Sequence, residues 1–121
     1  MSEPIEWVMP VKLVNFANKS MHWAAKSRLT RSIREVACNF CNVQTTKEQR
    51  KLPATVTMTR IYCGRAKEYD SDNLARAMKP VRDGIADSFG VDDKEKKGWT
   101  WIVKQERGHQ DAVRVEIREA K

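Results

Sequence analysis

Two apolar stripes at helical spacing, set between segments of strand character, constrain this chain more than any other feature. Leu29, Ile33, Val36, Ala37, Phe40 and Cys41 recur at three- and four-residue steps, which predicts a helix from about Trp23 to Val43. Leu74, Met78, Val81, Ile85 and Phe89 form the second stripe. Asp72 is placed to cap that helix and Gly90 to end it, while Pro80 inside it predicts a kink or a broken start. Four segments have strand character: Ile5 to Met9, Ala54 to Cys63, Trp99 to Gln105, and Ala112 to Arg118. In the last, Val113, Val115 and Ile117 alternate with Arg114, Glu116 and Arg118, so one face of the sheet meets water. The order β-α-β-α-β-β predicts an α+β fold, a mixed sheet with helices packed on it.

At 121 residues the chain suits a single domain spanning residues 1–121. Its longest uncharged apolar run falls far short of a membrane span, and its first ten residues lack the pattern of a secretory signal. The expected location is therefore the cytoplasm. Three cysteines, Cys38, Cys41 and Cys63, cannot all pair within one chain, which fits a reducing compartment. Cys38 and Cys41 have the spacing of half a zinc site, but they fall within the helical stripe and read better as buried thiols.

Lysine and arginine total 23 against 16 acids, a formal charge of +7 that favours a polyanionic partner. The charges are segregated. Lys19, Lys26, Arg28, Arg31 and Arg34 come without an intervening acid, whereas the acids gather between Glu68 and Glu95. Lys26, Arg28, Arg31 and Arg34, with Arg76, are the candidate DNA-binding residues, since cations on a helix face track phosphates. A solvated helix face is the plainer alternative. Trp23, Trp99 and Trp101 have two readings as well, stacking on unpaired bases or packing in the core.

The acidic region carries the candidate chemistry. Asp70 and Asp72 are two residues apart; on an extended chain both carboxylates leave the same side, roughly 7 Å apart at about 3.3 Å per residue. Two or three carboxylates suit Mg²⁺, which takes hard oxygen ligands and keeps several waters. A third ligand returns from the loop after the second helix, as Asp93 or Asp92. Such a site suits phosphodiester hydrolysis, with Lys79 two turns into the helix to meet the phosphate charge. The competing reading is structural: Asp70, Ser71, Asp72 and Asn73 are all good helix caps, and Lys79 with Asp83 forms an i,i+4 pair.

The run Asp70-Ser71-Asp72-Asn73-Leu74, then Lys79-Pro80 with Asp83-Gly84, then Asp92-Asp93, resembles the signature of the RusA family of Holliday-junction resolvases. His22-Trp23-Ala24, after Asn15 and Asn18, is similar to the N-terminal segment of phage-borne members. The resemblance implies a RusA-like fold and a metal-dependent endonuclease that resolves four-way DNA junctions by paired nicks. It implies Asp70, Asp72 and Asp93 as ligands of Mg²⁺ (or Mn²⁺) and Lys79 as the essential cation. In the best-known bacterial member that lysine comes about one helical turn sooner, where this chain has Arg76. Paired nicks need two sites, which implies a homodimer. The alternatives are a non-catalytic nucleic-acid-binding module and a related nuclease that prefers flaps or other branched DNA.

Overall fold

The computed structural model describes residues 3–14, 22–51, 53–91 and 98–120. The elements are β1 (Ile5–Met9), α1 (Trp23–Gln44), β2 (Ala54–Tyr62), α2 (Ser71–Phe89), β3 (Thr100–Arg107) and β4 (Ala112–Glu119), with a short 3-10 turn, Gln49–Lys51, before β2. The fold is α+β, and the order of elements follows the periodicities in the sequence. Among the described residues, no helix is long and apolar enough to cross a membrane.

The sheet is mixed, in the order β1-β4-β2-β3. β2 and β3 run parallel with α2 as the crossover between them, and β4 enters antiparallel between β1 and β2. The link from β3 to β4 therefore passes over the end of β2 instead of closing a hairpin. Gly108 allows this passage. Its N–H donates to Tyr62 O at 2.8 Å, and a Cβ there would stand 2.5 Å from Ile61 Cγ2.

One face of the sheet is the core face. Trp7, Met9, Val56, Met58, Val113, Val115 and Ile117 point from it under the two helices. The other face carries Thr55, Thr57, Lys104, Arg114 and Glu116, as the alternation in β4 requires. Trp99 and Trp101 are partly buried against the core, and Phe89 meets Trp99 edge-on at 4.8 Å. These two tryptophans are packing residues here. Trp23, by contrast, is 74% exposed.

Each helix end is satisfied locally. At the start of α1, His22 Nδ1 accepts from Ala24 N–H at 3.2 Å. At its end, Thr45 Oγ1 donates to Cys41 O, and Arg50 donates to Thr45 O at 2.8 Å. α2 ends at Gly90, whose φ of 71° lets its N–H and that of Val91 turn back to Asp87 O and Ala86 O.

Two expectations about α2 are corrected. The cap is Asp70, not Asp72: Asp70 is extended (φ −67°, ψ 166°) and Asp72 lies inside the first turn. Pro80 does not break the start; the helix runs continuously from Ser71 to Phe89. A proline inside a helix costs roughly 3 kcal/mol through its lost N–H and ring clash. Here Met78, Pro80, Val81 and Ile85 are all buried, and each large apolar side chain so buried returns about 1.5–3 kcal/mol.

The helices pack closely at Gly84. A Cβ on Gly84 would collide with Arg34 O, stand 2.7 Å from Ala37 Cβ and stand 3.0 Å from Cys38 N. The glycine in the Lys79-to-Gly84 motif thus permits backbone contact between α1 and α2. Cys38 and Cys41 lie mid-helix as free thiols, and burial pushes the Cys41 thiol up, which keeps it protonated and inert.

Candidate nuclease site at the start of α2

The chain enters α2 through residues 63–70, which have no regular structure. Asp70 ends this segment, exposed to solvent. Its Oδ1 accepts from Asn73 N–H at 2.8 Å and its Oδ2 accepts from Asn73 Nδ2 at 3.1 Å. A carboxylate offers about four lone-pair positions, so capping uses two and leaves about two. Asp72 is exposed in the first turn and makes no hydrogen bond or ion pair among the described residues. The same-side geometry expected of an extended Asp70–Asp72 pair does not apply, because the cap turns the chain into the helix at Ser71. The donor chemistry still suits a hard divalent cation: two exposed carboxylates at one helix start, close to solvent.

Asp92 and Asp93, the candidates for a third ligand, lie outside the described residues. Among the described residues, no cluster of three or more His, Cys, Asp or Glu side chains is placed to hold a metal ion.

Seven residues separate Asp72 from Lys79, nearly two helical turns, so both stand on one face about 10.5 Å apart along the axis. Arg76 lies between them on the same face. Lys79 Nζ pairs with Asp83 Oδ2 at 3.1 Å, the i,i+4 bridge that the sequence also allows. Arg76 is exposed and has no such bond among the described residues. Lys79 stands between two grooves. One is lined by Arg34, Asp83, Ala86, Asp87, Gly90 and Val91, the other by Met58, Ala75, Arg76, Met78, Arg82 and Val103. Both candidate cations therefore face open grooves.

The candidate DNA-binding residues lie on α1. Arg28 and Arg31 are exposed and Lys26 is half-buried. Arg34 is engaged otherwise: its Nε and Nη2 hold Asp87 of α2 at 2.6 and 2.8 Å. These two hydrogen bonds hold the Asp87 carboxyl below its ordinary range.

One group near the site escaped the sequence reading. Arg60 occupies an inward position of β2 and is only 4% exposed. The signal was present in the alternation Ala54, Val56, Met58, Arg60, Tyr62, where a charge stands at an apolar position. Comparison of the sequence with protein-family models and with curated proteins found no match.

Proposed function

We propose that this chain is a RusA-like, divalent-metal-dependent endonuclease that resolves four-way DNA junctions by paired nicks, working as a homodimer in the cytoplasm. The observation that carries the reading is the entry to α2. Two exposed carboxylates, Asp70 at the cap and Asp72 in the first turn, open α2, and Arg76 and Lys79 follow on the face of Asp72. Of the motif that resembles the RusA signature, Asp70, Asp72 and Lys79 are exposed, whereas Leu74, Pro80 and Gly84 are buried and serve the packing of α2.

Asp70 and Asp72 would hold Mg²⁺ through their remaining lone pairs, with Asp93 or Asp92 as the third ligand. Bound there, the metal supplies polarisation of a phosphoryl oxygen and activation of the attacking water. Lys79, or Arg76, on the same helix face as Asp72, would offset the negative charge that grows on the phosphate in the transition state. Lys26, Arg28 and Arg31 on α1 add phosphate contacts without reading sequence.

The test is nicking of a synthetic four-way junction by purified protein with Mg²⁺, against the same assay in EDTA. Paired nicks in the first and none in the second are expected. Asp70→Asn and Asp72→Asn should abolish cleavage and leave junction binding in EDTA at least as tight, since each removes a charge that opposes phosphate. Protein that binds junctions but never cuts, across metals and branched substrates, overturns the enzyme reading.

The two bonds from Asn73 to Asp70 favour a second reading, a non-catalytic nucleic-acid-binding module in which Asp70 is a cap alone. Asparagine caps as well as aspartate does, so that reading expects Asp70→Asn to change nothing.

A further inference from the structure

Arg60 is a buried charge with no carboxylate against it among the described residues. Burying a guanidinium is costly unless its donors are met. Arg60 is contacted by loop backbone, an amide and two rings. Its Nη1 donates to Lys67 O at 3.0 Å and to Gln105 Oε1 at 3.1 Å. The guanidinium carbon lies 3.6 Å from the ring centre of Tyr69 and 4.6 Å from that of Tyr62. Gln105, opposite Arg60 on β3, completes the arrangement. Its Oε1 accepts from Tyr69 N–H at 3.0 Å and its Nε2 donates to Tyr69 O at 2.6 Å. The Tyr69 hydroxyl donates to Leu13 O at 3.4 Å.

All these bonds converge on residues 67–69, and the next residue is Asp70. The backbone on both sides of Tyr69 is pinned to the sheet by Gln105, while its ring is held against Arg60. An irregular connection between a strand and a helix does not need a buried charge for its stability. A methionine at position 60 would fill the core face as Met58 does. What the guanidinium adds is a fixed position for the peptide that presents Asp70.

We propose that Arg60, acting with Gln105 through Tyr69, is a positioning residue that sets where the Asp70 carboxylate stands. The inference rests on the reading of Asp70 as a metal ligand. Lysine cannot reproduce the planar guanidinium between two rings with two acceptors on one nitrogen. Displacement of a reacting group by about an ångström costs on the order of a hundredfold in rate. Arg60→Lys should therefore fold, bind junction DNA in EDTA like the parent, and cleave roughly ten- to a hundredfold more slowly. Its half-saturating Mg²⁺ concentration should rise.

Two readouts separate positioning from a merely structural role. In a double-mutant cycle read as the rise in thermal midpoint on adding Mg²⁺, Arg60→Lys should cost nothing further once Asp70→Asn is in place, because both act through one group. Amide hydrogen exchange should lose protection at Asn73, which donates to Asp70, while the core strands keep theirs. If Arg60→Lys fails to fold, Gln105→Leu removes both bonds to Tyr69 and carries the same measurements. Full additivity, an unchanged Mg²⁺ dependence or unchanged Asn73 protection overturns the positioning role. A parent protein that cuts no branched DNA overturns instead the metal-ligand reading of Asp70, and Asn73 exchange still decides whether Arg60 holds the cap.

Discussion

The two helices are similar in length, 22 residues for α1 and 19 for α2, yet they are anchored differently. α2 buries nine of its residues and α1 only three, Ile33, Ala37 and Cys41. The entry to α2 is held by Arg60, Gln105 and Tyr69; at the entry to α1, among the described residues, the cap bond is the one from Ala24 N–H to His22, beside an exposed Trp23. Under the proposed function, the contrast matches what each helix would carry. Carboxylates that must place a cation need side chains and backbone locked by packing. Cations that track a polyanion need charge density on an accessible face.

The largest test of this contrast is Gly84→Ala. Alanine gains about 1 kcal/mol of helix propensity over glycine. Against that, its methyl would press on backbone atoms of Arg34 and Cys38, which cannot turn aside like a flexible side chain. Overpacking of this kind costs about 1–3 kcal/mol, and contact with backbone puts this case at the upper end. We expect a net loss of about 2 kcal/mol by urea denaturation. Amide exchange should rise more in α1 than in α2, because α1 has less burial of its own to keep it in place. Equal loosening of both helices would erase the distinction between them.

A smaller effect compares the two caps. Asp70→Ala removes the acceptor of Asn73 N–H and should cost about 1 kcal/mol, whereas Asp70→Asn should cost only a few tenths. His22→Ala should fall below Asp70→Ala, since its single 3.2 Å bond is longer and the residue is exposed. Thermal unfolding of the three variants ranks them, and a His22→Ala loss above that of Asp70→Ala would reverse the comparison.

Periodicity made the elements legible because burial repeats. The stripe from Leu74 to Phe89 and the alternation from Val113 to Ile117 each mark a face that must meet the core. Strand pairing was not legible: nothing in Trp99 to Arg118 tells that the link from β3 to β4 crosses the end of β2, since the close approach at Gly108 is a tertiary fact. The cap was misplaced by two residues because Asp70 and Asp72 are equally good caps by residue type. Arg60 itself was visible only as an exception to alternation, and its partners, Lys67 O and Gln105, come from a loop and another strand. Gly84 was legible as a motif residue but not as a helix crossing. Arg34 was read as a phosphate contact because its partner Asp87 lies 53 residues away.

That Arg34–Asp87 pair gives the smallest expected effect and the sharpest bound on how α1 is held. Its two bonds, 2.6 and 2.8 Å, have good geometry, but the side chains remain 49% and 41% exposed. Solvent screening limits such a pair to about 0.2–1 kcal/mol. The sign follows from Asp87. The hydrogen bond from Arg34 lowers its folded pKa below the unfolded value, near 3.9 for a free aspartate. The contribution is therefore fully present above the ordinary carboxylate range and disappears as pH falls through the depressed folded value. Arg34→Met keeps the aliphatic stem and removes the pair. The parent should exceed this variant by a few tenths of a kcal/mol at neutral pH, and the gap should close once Asp87 is protonated. Screening by 1 M salt should also shrink it at neutral pH. Urea midpoints of parent and variant at neutral and acidic pH measure the gap. A difference well above 1 kcal/mol would mean that α1 is clamped to α2 by charge as firmly as α2 is held by its core. A gap that ignores pH would assign the loss to packing of the Arg34 stem and not to its bond with Asp87.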